Sequence, residues 1–277
     1  MIGIILVGID AILRELGLSI GKFEVSHNKE PRAVLGFLTM FWSIIFFAII
    51  GYIKQDFLFN PDSIPTLIVR IILEIAECHI GIFALVKASR SAVAFITTGT
   101  IPLLLIVDHF LGYNISTLQL LGILVVVIGL ITLLINHGIN KKGLGFVIFI
   151  TLNAVATLSL YKYNIENFNS VTAEQIIVMS SVLVYFLLLS LIKDKRNPIL
   201  YMKKPIFFIQ SMAIGLGSVF GSFAYMFGAP SVITTAKRSF GLIFAMISGN
   251  LYFKEKKLVI KITAFAIILV GLVLLSQ

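Results

Sequence analysis

The sequence predicts an all-α polytopic membrane protein: ten transmembrane helices arranged as two inverted five-helix repeats. Three observations predict it: the composition, the length and number of the apolar runs, and a likeness between the two halves. Of 277 residues, 58% are hydrophobic and only 13% are charged. The mean hydropathy is +1.04. A soluble domain of this size could not bury so much apolar surface. The runs are continuous and lack the alternation of barrel strands, so helices are the spanning elements.

The apolar runs fall near residues 2–19, 33–53, 64–86, 90–110, 116–136, 143–161, 173–192, 205–227, 230–252 and 258–275. Most reach the roughly 20 residues a bilayer needs. The first is interrupted by Asp10, Arg14 and Glu15. It lacks a basic leader region and a small-residue cleavage site, so it reads as a span rather than a signal peptide. Pro65, Pro205 and Pro230 stand at or near span starts, where a missing N–H costs little. The connections are short, so no soluble domain is expected.

The Lys and Arg residues sort by connection. Odd-numbered connections hold Lys22, Lys29 and Arg32; Lys87 and Arg90; Lys141 and Lys142; Lys193, Lys195, Arg196, Lys203 and Lys204; and Lys254, Lys256 and Lys257. Even-numbered connections hold only Lys54 and Lys162. The positive-inside rule then places the odd connections in the cytoplasm and both termini outside, in a multi-pass protein of the cytoplasmic membrane. The net charge of +9 is read as topology, not as a nucleic-acid surface. The single cysteine, Cys78, excludes a disulfide framework. His27, His79, His109 and His137 show no metal-ligand spacing, and no nucleotide-binding motif is present, so neither metal nor cofactor is expected. The expected partners are a small-molecule substrate and the lipid bilayer, with the chain a monomer or homodimer.

The halves, residues 1–138 and 139–277, resemble each other. "ALVKASRSAVAFITTGTIPLLLIVDHFLGYN" (84–114) aligns with "AYMFGAPSVITTAKRSFGLIFAMISGNLYFK" (224–254) at an offset of 140. "LLGILVVVIGLITLL" (120–134) aligns with "ITAFAIILVGLVLL" (262–275) at 142, which sets Gly129 on Gly271. "GIDAIL" (8–13) aligns with "TLNAVA" (151–156), which sets Asp10 on Asn153. An odd number of spans per half inverts the second half, and inverted repeats with a site between them are a transporter architecture.

The stretch "TTAKRSFGLIFAMISGNLYFKEKKLVIKITAFAIILVGLVLL" joins a small-residue helix, a Lys-Glu-Lys end and a glycine-bearing last helix. It resembles the EamA-type members of the drug/metabolite transporter superfamily. The resemblance covers essentially the whole chain through span number and repeat, and is sharpest over 230–275. It implies a five-plus-five helix fold and transport of small molecules. Tyr113 stands where the family has a glutamate after the fourth helix, whereas Glu255 keeps that glutamate in the second half. The Lys-Arg pair is also similar to that of sugar-phosphate and nucleotide-sugar translocators, which implies an anion contact for Lys237 and Arg238.

Charges within spans are costly, roughly 2.5–3.5 kcal/mol each at the bilayer centre, and usually face a bundle interior. Arg14, Glu15 and Lys261 are expected to snorkel to the cytoplasmic surface. Arg70, Glu74 and Glu77 share one face of the third span at i, i+4 and i+7, so Arg70 is expected to pair with Glu74. Glu74 then lies roughly 15 Å deep, and Lys237 and Arg238 at overlapping depth. Two readings of that cation pair stay open: neutralisation of Glu74, Glu77 or Asp10, or a cavity site for an anionic group. Thr234 continues the Arg238 face, and Thr97 and Thr98 are the repeat mates of Lys237 and Arg238. Asn153, Thr157 and Tyr161 form a polar stripe on the sixth span.

These residues predict a secondary transporter, not an enzyme, that moves a small polar or anionic metabolite by alternating access. Lys237, Arg238, Thr234, Thr97, Thr98, Asn153 and Tyr161 are its candidate substrate contacts. Glu74, Glu77, Arg70 and Asp10 form its candidate proton-coupling or charge network, with exchange as the other coupling mode. The alternative is a membrane-embedded enzyme or flippase for phosphorylated or lipid-linked substrates, but no nucleophile–base pair is evident.

Overall fold

The computed structural model describes residues 2–27, 30–110, 116–135, 142–228, 230–255 and 258–275. Tyr113 and the basic residues Lys29, Lys141, Lys256 and Lys257 lie outside them. Among the described residues the regular elements are all helical: α1 (Ile2–His27), α2 (Arg32–Lys54), α3 (Ile64–Lys87), α4 (Arg90–Thr97), α5 (Thr100–Phe110), α6 (Thr117–Ile135), α7 (Leu144–Asn167), α8 (Val171–Ile192), α9 (Pro205–Ala224), α10 (Pro230–Leu251) and α11 (Leu258–Leu275), with three short 3-10 turns.

The starts have local causes. Ser89 and Ser170 accept hydrogen bonds from the Ala92 and Ala173 amides and so cap α4 and α8. α3 and α9 carry proline in their first turn. Gly143 enters α7 with φ 77°, a conformation that favours glycine. α1 and α7 run several residues past the predicted ends: Lys22 in the α1 extension donates to the Ala88 carbonyl, and Lys162 and Asn164 in the α7 extension donate to the Tyr225 carbonyl and Glu174.

The predicted fourth span is split. Pro102 has no N–H, and its ring crowds the carbonyl of Thr98 four residues earlier. The chain tightens there into i→i−3 bonds: the Thr98, Gly99 and Ile101 amides donate to Phe95, Ile96 and Thr98 carbonyls at 3.2, 2.9 and 3.0 Å. Thr98 and Gly99 thus separate α4 from α5.

Five described stretches are long and apolar enough to cross a membrane: Arg32–Lys54, Arg90–Val107, Leu144–Asn167, Val171–Ile192 and Pro205–Phe227. α1, α3 and α10 are as long but carry the charges: Asp10, Arg14 and Glu15; Arg70, Glu74 and Glu77; Lys237 and Arg238. Large apolar side chains such as Leu124, Ile128, Leu188 and Val270 are exposed on outer helix faces, as a lipid-facing surface requires. Apolar packing concentrates in two main clusters. One joins Phe95, Ile101, Leu242 and Ile268; the other joins Phe37, Leu38, Phe186 and Phe207.

α1 packs on α9 and α10, α2 on α8 and α9, α3 on α7 and α8, α10 on α4 and α5, and α6 on α11. The α6–α11 contact is close because each helix offers a glycine. A Cβ on Gly129 would meet Ile268 at 2.6 Å and the Ala264 carbonyl at 3.4 Å; one on Gly271 would meet Val126 at 2.8 Å and the Gly122 carbonyl at 2.9 Å. In lipid, where no hydrophobic effect drives helices together, such close backbone approach supplies the packing. Gly271→Ala should therefore force α6 and α11 apart, at a cost of roughly 1–3 kcal/mol. A lowered melting temperature in detergent checks this. Gly145→Ala, whose Cβ meets nothing within 4 Å, should leave stability unchanged or raised.

Candidate functional site

The helices enclose a cavity of about 350 Å³, within the size range of small-molecule sites. Its wall is mixed. Leu18, Leu35, Ile82, Leu85, Val93 and Leu158 give an apolar lining, and Arg14, Arg70, Glu74, Glu77, Lys237 and Arg238 bring charge into it. Tyr161 and Thr234 also line it.

Asp10 lies behind this wall, fully buried on α1. Arg14, one turn further along α1, places Nε 3.1 Å from Oδ1. Lys237 reaches across from α10 and places Nζ 2.8 Å from Oδ2. That second contact is an ion pair whose angles fall short of hydrogen-bond geometry. α9 makes room for it with glycine: a Cβ on Gly221 would stand 2.6 Å from Oδ2 and 3.2 Å from the Lys237 Nζ. Lys237 is thus the neutralised member of the cation pair.

Arg238, about 100° further around the helix, has no hydrogen bond or ion pair among the described residues. Its Nε is buried without an acceptor. The two readings left open for the adjacent cations divide between them: Lys237 is held by Asp10, and Arg238 faces the cavity.

The expected Arg70–Glu74 pair does not form. Arg70 turns instead to α8, where Nη1 donates to Glu174 at 2.6 Å and Nη2 to Gln175 at 3.2 Å. Its guanidinium also lies over the Tyr161 ring, 4.6 Å from the centroid. Glu174 is the stronger partner because it is buried at the start of α8, where the helix dipole favours an anion. It also accepts from Asn164 at 2.8 Å and Asn169 at 2.6 Å. Sequence reasoning missed Glu174, although an acid in the first turn after the capping Ser170 was the available signal. Glu77 is held by neutral donors, Asn153 Nδ2 at 2.9 Å and Thr157 Oγ1 at 3.1 Å. Glu74 has no hydrogen bond or ion pair among the described residues and lines the cavity.

The remaining predicted contacts divide. Tyr161 donates its hydroxyl to the Ser222 carbonyl at 3.0 Å and offers its ring to the cavity. Thr234 Oγ1 is 3.0 Å from the Tyr225 hydroxyl. Asn153 stands behind Glu77 as its support rather than on the wall. Thr97 and Thr98 are not brought to the cavity: Thr97 bonds the Val93 and Ala94 carbonyls, and Thr98 bonds Ala94. Beside the break in the helix their hydroxyls serve their own backbone. Among the described residues no group of three or more His, Cys, Asp or Glu could hold a metal ion.

A second polar cluster corrects the expected snorkelling of Arg14, Glu15 and Lys261. Arg14 is bound to Asp10, and the other two are buried. Glu15 takes a two-pronged contact from Arg90, Nε at 3.1 Å and Nη2 at 2.5 Å, and a hydrogen bond from Ser248. Glu255 accepts from the Arg90 amide at 2.6 Å, from Lys261 Nζ at 2.8 Å and from the Ser91 hydroxyl. It therefore caps α4 from the far end of α10. Burial alone would raise the Glu255 carboxyl, but Lys261 and Ser91 outweigh it and hold it below the usual carboxylate range. In comparisons with known proteins, no family model and no curated protein matches the chain.

Two outcomes follow for stability. Lys237→Gln should destabilise by about 3 kcal/mol, since it breaks a buried ion pair. Arg238→Gln removes a charge with no hydrogen bond or ion pair among the described residues and should leave stability unchanged or raised. Thermal unfolding of both variants in detergent distinguishes them. Glu255→Gln should lower the melting temperature near neutral pH. Because the folded carboxyl titrates below its unfolded value, the gap to the parent protein should narrow as the pH falls below the ordinary carboxylate range. A gap that widened on acidification would contradict the assignment.

Proposed function

We propose that the protein is a secondary transporter of the cytoplasmic membrane, moving a small polar metabolite through the central cavity by alternating access. The observation that carries this reading is a cavity of small-molecule size between membrane-length helices, holding charged groups that have no hydrogen bond or ion pair among the described residues. A purely structural interior would pair Arg238 and Glu74 or replace them with apolar residues.

The pairing of helices supports the reading of ten spans in two inverted halves, with α4 and α5 as one interrupted span. Matching the halves helix for helix turns the α1–α9 contact into α7–α3, α2–α9 into α8–α3, and α1–α10 into α7–α4. It carries α2–α8, α6–α11 and α10–α4 onto themselves. Gly129 meets Ile268 and Ala264, and Gly271 meets Val126 and Gly122. These are the same contact under the offset of 142 that the sequence alignment suggests. Two interlocked halves supply the moving parts that alternating access needs. On this reading the basic odd-numbered connections face the cytoplasm. The Glu15–Arg90–Glu255–Lys261 cluster then lies toward that side, where it holds the cytoplasmic ends of the bundle together.

Gly81 offers the test. It lines the cavity, and a Cβ there would meet nothing within 4 Å, so a large side chain can enter the space without displacing backbone. Proteoliposomes loaded with a metabolite extract, with and without a pH gradient, should lose specific solutes only when the protein is present. Gly81→Phe should reduce that loss at least about tenfold while the protein stays folded. Undiminished flux through Gly81→Phe would rule out the central cavity as the path.

A further inference from the structure

The unpaired groups define a ligand more narrowly than "polar". Arg70 and Arg90 also line the cavity but are each paired, with Glu174 and Glu15. Apart from them, three cations, Arg14, Lys237 and Arg238, stand against three carboxylates, Asp10, Glu74 and Glu77. Asp10 is already engaged by both Arg14 and Lys237. That leaves a net positive cluster on the α1–α10 side, with Arg238 beside it and its Nε unpartnered. On the α3 side stand Glu74, without a partner among the described residues, and Glu77, held only by amide and hydroxyl donors. These six groups balance, with the cations carried by α1 and α10 and the two carboxylates that lack a cation contact carried by α3.

A simple anion would satisfy Arg238 and leave Glu74 and Glu77 in excess inside a poorly solvated space. A simple cation would do the reverse. Each mismatch leaves charge uncompensated in low dielectric, the costly case. A molecule carrying both charges a few ångströms apart answers both sets of groups at once. The lining also offers aliphatic side chains: Leu18, Ile82, Val93 and Leu158. We infer that the ligand is a small zwitterion with an apolar body, its anionic group on Arg238 and its ammonium on Glu74. Thr234 and Tyr161 form part of the polar surround.

This inference rests on the transport reading of the same cavity, and the experiment separates the two. Purified full-length protein in nanodiscs would be titrated with leucine, with 4-methylpentanoate, which lacks the ammonium, and with 3-methylbutylamine, which lacks the carboxylate. Phenylalanine, 3-phenylpropionate and 2-phenylethylamine serve as a larger matched set. In at least one set the zwitterion should bind about tenfold to a hundredfold more tightly than either singly charged analogue, the value of one charge-assisted hydrogen bond. Arg238→Gln should reduce the zwitterion to the affinity of the amine, and Glu74→Gln to that of the acid. Arg238→Lys should recover part of the loss.

If the acid binds as well as the zwitterion and Glu74→Gln changes nothing, the site takes a simple anion. The zwitterion inference is then wrong, while the transport reading stands. If no member of either set binds, the inference is likewise overturned, and the Gly81→Phe flux measurement decides the transport reading on its own.

Discussion

A buried carboxylate on α1 organises the centre of this molecule. Asp10 has no exposed surface and cannot be hydrated, so the fold must supply its counter-charge. It does so from two directions, Arg14 along the same helix and Lys237 across from α10. That requirement fixes the spacing of α1, α9 and α10, since α9 has to present glycine at 217 and 221 to admit the carboxylate. It also sets the rotation of α10. With Lys237 committed to Asp10, the neighbouring Arg238 is turned away from the same partner.

The same rule recurs at two other places. Arg70 is matched by Glu174 between α3 and α8, and Arg90 by Glu15 between α4 and α1. Each tie joins helices distant in sequence, and each adds neutral donors that satisfy remaining lone pairs. Against this background of paired charge, Arg238 and Glu74 stand out. An interior that compensates Asp10, Glu15, Glu174 and Glu255 leaves these two facing open space. That contrast, more than the presence of charge itself, sets the cavity apart from the rest of the interior.

Much of the helix plan could be read from the chain. Apolar run length located the helices, Ser89 and Ser170 marked starts, and Pro102 lay within the apolar run that the structure divides. The candidate cavity residues on α3 and α10 were also visible, because an Arg, two Glu and a Lys-Arg pair stand out in apolar sequence. Partners were less legible. Arg70 and Glu74 sit at ideal spacing on one helix, yet a weak local pairing of a few tenths of a kcal/mol loses to a buried acid with two asparagine donors on another helix. Glu15 and Lys261 looked superficial by their place in the spans. They are buried because α4, α10 and the loop after it close over them. Thr97 and Thr98 looked like site residues by alignment with Lys237 and Arg238, but the backbone break at Gly99 claims their hydroxyls.

The sequence by itself determined that this chain is built of long apolar helices, where charge interrupts them, and that α3 and α10 carry the groups with chemical potential. Those are properties of composition and of the 3.6-residue period, which any short window contains. Only the tertiary structure decided which charge meets which. In a low-dielectric interior an ion's free energy depends on the few ångströms around it, and those are supplied largely by helices 75 or more residues away in sequence. Lys237 and Arg238 are adjacent in sequence and similar in chemistry. One is bound to Asp10 and the other is left facing the cavity because their side chains leave α10 in different directions.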